Sequence, residues 1–288
     1  RYYRQKLGGK NVFFLTGTDE HGEKVAQAAL KQGEAPKKYC DKISEQFRKA
    51  WQSLNIKYDF FIRTTDPKHE KIVREFLQKI YDNGYIYKGV YKGLYCVECE
   101  KFVLNDELIN PVRSSRKALN PVFATSIKHS SPRQAAGHSA SNGINGRCPF
   151  HPHIEPARKE EENYFLKLKE LSKKVLSEIQ KGTFKIFPEE RKNEIVAKIK
   201  AGIDDISISR ASVEWGIPLP WDEKHTVYVW VDALINYYSA LKIVPKKNLF
   251  WPPNLQLTGK DILWFHALIW PALLLAAGEK LAKAVFAH

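Results

Sequence analysis

Residues 12–23 read Val-Phe-Phe-Leu-Thr-Gly-Thr-Asp-Glu-His-Gly-Glu, and their order decides the fold class. The apolar run from Val12 to Leu15 predicts a buried strand. Thr16, Gly17 and Thr18 break it, and Asp19 opens a helix that starts near Glu20. The same order returns late in the chain. Residues 255–257 form a short strand, Thr258-Gly259-Lys260 a turn, and Asp261 heads a second helix. Both stretches read Leu-Thr-Gly-x-Asp. In a parallel α/β sheet, ligands lie beyond the carboxyl ends of the strands, against helix N-termini. Two such loops, each with an Asp at that point, predict two walls of one pocket. The simpler alternative makes Asp19 and Asp261 ordinary N-caps.

Outward from the first loop, residues 35–55 predict a helix with Tyr39, Ile43, Phe47 and Trp51 on one stripe. Residues 58–62 predict a strand. Asp66-Pro67 is a helix start, with Asp66 as cap and Pro67 in the first turn. That helix turns Ile72, Val73, Phe76, Leu77 and Ile80 inward and stops at Asn83-Gly84. Strand–helix alternation to this point predicts an α/β, doubly wound, Rossmann-like parallel sheet.

The texture changes at Tyr85. Residues 85–95, rich in Tyr, Lys and Gly, predict hairpin strands leading to Cys96-Val-Glu-Cys99. Residues 108–147 contain no acidic side chain and predict a disordered loop; Cys148-Pro-Phe-His151 follows. Beyond it, residues 161–180 and 188–201 predict helices, 226–231 a strand, 232–241 a helix, and 255–277 a closing strand–helix unit. The expected organisation is two α/β halves, 1–84 and 205–288, split by a metal-bearing insertion at 85–204.

The chain has 288 residues, 43% of them hydrophobic, a net charge of +14 and a pI near 9.4. That charge fits a phosphate-rich partner, most simply nucleic acid. Four cysteines in a chain of this length exclude a disulfide scaffold. Residues 262–277 are apolar but hold His266 and Pro271 and fall short of a membrane span, so they predict a core helix. The absence of methionine, even at position 1, leads us to expect a portion of a longer chain.

Cys96, Cys99, Cys148 and His151 form C-x-x-C followed by C-x-x-H. Two closely spaced pairs supply the tetrahedron that Zn²⁺ prefers, and four protein ligands make a closed, structural site. His153 is an alternative fourth ligand; the two-residue spacer favours His151. Reduced, unligated thiols are the other possibility. Cys40, on the helix stripe, is expected to be a core thiol.

Six motifs taken together resemble the methionyl-tRNA synthetase family. They are Leu15-Thr-Gly-Thr-Asp-Glu-His-Gly22, the two zinc pairs, Lys159-Glu-Glu-Glu-Asn-Tyr-Phe165, Asp205-Ile-Ser-Ile-Ser-Arg210, Tyr228-Val-Trp-Val-Asp-Ala233 and Gly259-Lys-Asp-Ile-Leu-Trp-Phe-His266. Arg63-Thr-Thr-Asp-Pro-Lys-His69 resembles the bacterial and organellar branch. The resemblance implies a class I aminoacyl-tRNA synthetase whose Rossmann domain is split by a zinc knuckle. It implies ATP with Mg²⁺ as substrate, methionyl-adenylate as intermediate, initiator and elongator methionine tRNA as partners, and the cytoplasm or an organelle as location. By resemblance, Asp19 holds the methionine ammonium in a poorly solvated pocket. Trp230, Ala233, Tyr237, Ile262, Phe265 and His266 line the side-chain pocket, Arg210 and Trp270 lie around it, and His21, at the helix start, helps line the site. Gly259 and Asp261 match positions at the ATP ribose.

Two departures are visible. The family's His-Ile-Gly-His and Lys-Met-Ser-Lys-Ser signatures would lie before Arg1 and after His288, so no catalytic residue is assigned within the chain, and the chain is expected to activate methionine very poorly. Residues 108–147 stand where the family has a short loop, and have the look of inserted sequence. Two rival readings remain. One is a sister class I synthetase, although no space exists here for a large editing domain. The other is a non-catalytic, zinc-bearing RNA-binding relic of the same fold.

Overall fold

The computed structural model describes residues 8, 11–98, 101–103, 108 and 146–288. Cys99 and the expected disordered loop, apart from Leu108, Gly146 and Arg147, lie outside them. The chain divides into a larger unit, Arg1–Tyr91 with Glu161–His288, and a smaller one, Lys92–Glu160. Helices from 168 to 201, which the sequence division assigns to the insertion, pack in the larger unit.

The larger unit begins with β1 (Leu15–Thr18), α1 (Glu23–Lys31), α2 (Pro36–Ser53), β2 (Phe60–Arg63) and α3 (Pro67–Asp82). β1 and β2 pair in parallel, with Leu15 opposite Phe60 and Thr18 opposite Arg63. This corrects the first expectation. The strand runs through Thr16-Gly17-Thr18, and the helix waits until Glu23. Asp19 therefore caps no helix; Gly22, at φ 101°, precedes the first turn. Gly17 is what lets the strand continue, since a Cβ there would lie 2.1 Å from the Ile62 carbonyl oxygen.

On α2 the inward face is centred on Cys40 and Ser44, and Phe47 of the expected stripe is 43% exposed. α3 behaves as its sequence predicts. The Lys68 amide donates to the Asp66 carboxylate at 2.9 Å, Pro67 takes the first turn, and Val73, Phe76, Leu77 and Ile80 are buried. Gly84, at φ 75°, follows the last turn.

β3 (Ile86–Cys96) carries the chain into the smaller unit, where its end pairs antiparallel with β4 (Lys101–Val103), as hairpin strands should. β5 (Ala157–Leu166) returns and is followed by α4 (Leu168–Lys181). The helix expected over 161–180 thus starts seven residues late. The Tyr164 amide bonds the Ser209 hydroxyl, and Phe165 pairs with Ser207 of β7 (Ile206–Ser207), so strand pairing takes the first six residues.

β6 (Lys185–Phe187) and α5 (Glu189–Ala201) come between α4 and β7. β8 (Ser209–Arg210) and β9 (Thr226–Val227) form a short antiparallel pair. The strand expected to reach Val231 ends at Val227, because α6 (Val229–Ile243) has already begun. β10 (Gln256–Thr258) leads into one helical run. A 3₁₀ turn (Lys260–Ile262) is followed by a π turn (Phe265–Ile269) and α7 (Trp270–Ala276). Asp261 lies inside the 3₁₀ turn and does not cap it. β11 (Ala284–Ala287) ends the chain, giving the parallel order β10-β11-β6.

One core joins α3, α4, α5, α6 and the 263–277 run, with Trp270 and Phe184 among its largest fully buried side chains. The apolar run at 262–277 is core, as expected. Among the described residues, no helix is long and apolar enough to cross a membrane. Gly17→Ala is expected to cost at least about 2 kcal/mol, because the added methyl meets backbone that cannot move away; urea unfolding of the two proteins measures it.

Candidate functional site

Three residues after β1 are pinned, and the pinning leaves Asp19 at the surface. The Glu20 carboxylate is buried. It accepts two hydrogen bonds from the Arg63 guanidinium, at 2.7 and 2.8 Å, one from the Thr18 hydroxyl at 2.6 Å and one from Thr65. The Glu20 amide donates to Thr64, and its carbonyl accepts from the Trp215 indole at 2.7 Å and from Cys40. Burial, with Glu20 beside it, pushes the Cys40 thiol up to about 11, which makes it the inert core thiol expected. The Gly22 amide bonds the Trp215 carbonyl.

His21 turns inward. Its Nδ1 lies 2.7 Å from Asp232 on α6, and its Nε2 3.7 Å from Glu70 on α3. The other Asp232 oxygen is 2.6 Å from His69 Nε2, and His69 Nδ1 is 2.6 Å from the Ser239 hydroxyl. His21, His69, Asp232 and Ser239 are all buried. Burial alone would raise the Asp232 carboxyl; its bonds to His21 and His69 outweigh that and hold it below the ordinary carboxylate range. Burial raises Glu70, with His21 opposing.

The aromatic residues assigned to the pocket do converge, on α6 and the helical run after β10. Trp230 stacks on Phe265 at 4.1 Å between centroids and 12° between planes. The Tyr237 hydroxyl lies 2.8 Å from His266 Nε2. His266 Nδ1 lies 3.0 Å from the Ile262 carbonyl, which can only accept, and 3.2 Å from the Thr258 hydroxyl. Nδ1 therefore carries a proton, and the neutral form, which burial favours, leaves Nε2 to accept from the Tyr237 hydroxyl. Burial lowers His266 further and pushes the Tyr237 phenol up to about 12. Trp270 packs 6.3 Å from the Tyr237 ring and is fully buried. Ala233 is half-buried on the same helix. The result is an apolar wall of rings with its one imidazole held uncharged, suited to a thioether side chain.

The remaining assigned residues stand on β8, just past β10 and in the smaller unit. Arg210 is buried at β8, its guanidinium 4.1 Å from the Tyr228 ring and bonded to Ser207 and the Ser209 carbonyl. Gly259 and Asp261 are exposed at the end of β10. In the smaller unit, donor atoms of Cys96, Cys148 and His151 lie within 4.8 Å of one another, both thiols buried against Leu108 and Ile154. Two sulfurs and an imidazole so placed match a zinc donor set. Cys99, the remaining expected ligand, is outside the described residues.

The whole chain, residues 1–288, matches the model of the family described as tRNA synthetases class I (M). The chain belongs to that family. The methionine–tRNA ligase of Arabidopsis thaliana chloroplasts and mitochondria is 43% identical over 99% of this chain and 42% of its own length. That of Thermotoga maritima is 41% identical over 99% of this chain and 40% of its own. The crystal structure of Mycobacterium tuberculosis methionyl-tRNA synthetase bound by methionyl-adenylate superposes with a TM-score of 0.82 at 34% identity, over 99% of this chain and 51% of that one. The chain thus has the α/β class I synthetase catalytic fold, and spans about half or less of the length of these relatives.

Within this synthetase fold, sequence reading gave no role to Glu20, His69 or Asp232. All three stand inside motifs quoted for the resemblance, but a charged residue in a motif reads as a ligand contact and not as a buried brace. The signal available was Arg63-Thr-Thr, whose guanidinium and hydroxyls answer a carboxylate.

The shift at Tyr237 has a testable sign. The folded chain favours the neutral phenol, so that contribution is full below pH 10 and is lost as pH rises toward about 12. Tyr237→Phe is expected to make stability fall less steeply across that window, by about one proton, in urea melts at stepped pH. Equal slopes would show that the phenol is not buried as described.

Proposed function

We propose that this chain is the methionine-activating region of a methionine–tRNA ligase. The observation that carries the reading is the wall of Trp230, Phe265, Tyr237, neutral His266 and Trp270 in a chain of this family. In the reaction, a methionine carboxylate oxygen attacks the α-phosphorus of ATP, the bond to pyrophosphate breaks, and methionyl-adenylate forms. The methionyl group then passes to the terminal adenosine of a methionine tRNA, initiator or elongator, and AMP leaves. Mg²⁺ accompanies ATP as part of the substrate. The charge of +14 supports a tRNA partner.

In this reading Asp19 takes the substrate ammonium. It is exposed at the end of β1, and the substrate covering it supplies the desolvation that strengthens the ion pair. Ala233 and Ile262 complete the side-chain wall, and Arg210 lies around it. Gly259 and Asp261, exposed at the end of β10, take the ribose, glycine for close approach and the carboxylate for its hydroxyls. The parallel pairings β1–β2 and β10-β11-β6 are read as the two halves of a Rossmann-like sheet, the second drawing on β6 (Lys185–Phe187) from within the stretch first assigned to the insertion. The insertion between them carries structural Zn²⁺ on Cys96, Cys99, Cys148 and His151, where the ion would cross-link a small unit in which, among the described residues, Leu108 and Ile154 pack against the two buried thiols. The reaction's place is the cytoplasm or an organelle; the Arabidopsis relative is named for chloroplast and mitochondrion.

Calorimetric titration tests the reading. Methionine is expected to bind saturably and in preference to leucine and homocysteine. Asp19→Ala is expected to weaken it by at least about tenfold, since one member of a shielded ion pair is lost. A folded chain that binds leucine equally well would overturn the assignment. For the metal, elemental analysis is expected to find about one zinc per chain, and chelation to loosen the smaller unit, seen as faster proteolysis between residues 92 and 160.

A further inference from the structure

The buried cluster behind the site has no place in the reaction as described, yet it joins three separate segments. Asp232 is 1% exposed and carries one imidazole on each carboxylate oxygen. His21 comes from the loop after β1, His69 from the first turn of α3, and Asp232 from the first turn of α6. Ser239, two turns along α6, closes the line on His69, its hydroxyl also lying 3.3 Å from the Asn236 carbonyl. His21 further faces Glu70 and the Trp215 ring at 5.4 Å.

Apolar residues of similar volume would serve stability at least as well, because burying charges is costly even when they are paired. What a charged cluster adds is direction and register. His21 lies two residues from Asp19, and Asp232 stands between Trp230 and Ala233. The 2.7 Å bond from His21 to Asp232 therefore ties the loop that carries the proposed ammonium contact to the helix that carries the side-chain wall.

We propose that His21, Asp232 and His69 form a buried clamp that sets the spacing between these two halves of the methionine site, with Asp232 its central positioning residue. None of the three touches the substrate. The clamp holds the ammonium partner and the aromatic wall at one separation, so that a single ligand reaches both. This rests on the methionine-binding reading above.

The test is methionine affinity of the full chain by calorimetry, with thermal melting of every variant as the check on folding. His21→Ala is expected to weaken methionine roughly tenfold, the scale of a small misplacement of a positioned group. His21→Asn, whose amide can donate from the Nδ1 position, is expected to recover most of that loss. Ser239→Ala, at the far end of the line, is expected to produce a smaller loss of the same sign. His21→Ala combined with Asp232→Ala should bind no worse than Asp232→Ala alone, since both act through one bond. If Asp232→Ala does not fold, the His21 pair and Ser239→Ala still decide. Folded His21→Ala and Ser239→Ala chains that bind like the parent would overturn the clamp, as would a His21→Asn chain no better than His21→Ala. A parent chain that binds no methionine would overturn the functional reading, and the clamp with it.

Discussion

A carboxylate taken out of water must have every lone pair answered, and Glu20 meets that demand with Arg63, Thr18 and Thr65. These partners stand on β1, on the last residue of β2 and on the turn into α3. Their geometry therefore settles where the two parallel strands end and how the chain leaves the first of them. Asp19 is presented to solvent because its neighbour is withdrawn from it. Gly17 supports the same arrangement from inside the strand, where backbone approaches too closely for any side chain.

The second wall depends on a change of helical pitch. Between β10 and α7 the chain passes through a 3₁₀ turn and then a π turn that contains Phe265 and His266. The wider π turn re-aims successive side chains, a device often found at functional sites. Here it lays Phe265 flat on Trp230 and brings His266 Nε2 to the Tyr237 hydroxyl, while the Ile262 carbonyl fixes the tautomer. In the proposed reading, an apolar wall whose imidazole is disfavoured as a cation leaves ionic recognition to Asp19.

Local signals in the chain were legible where local physics governs. Asp66-Pro67 began a helix as written, because cap and proline act within one turn. Cys40 was a core thiol, and residues 262–277 were core. The misreadings share a cause. Residues 160–165 and 228–231 carry patterns that fit helix or strand, and their partners chose: Ser207 and Ser209 drew the first into a ladder, and the packing of α6 against α3 claimed the second. Asp19 looked like a cap because an Asp after an apolar run usually is one. Pairing of β1 with β2, sixty residues into the chain, carried the strand past the break.

The amino-acid order by itself determined the α/β class, the two Leu-Thr-Gly-x-Asp loops and the cysteine and histidine pairs, since these are written as spacing and residue type; the aromatic wall was named through the family resemblance of its motifs. Only the tertiary structure decided that Glu20 and His21 turn inward while Asp19 stays out, and that Asp232, His69 and Ser239 meet behind the wall. Those choices depend on which buried charge finds a partner 43, 163 or 211 residues away. No local pattern encodes such a distance, because the cost of an unpaired buried charge arises only once the core has closed around it.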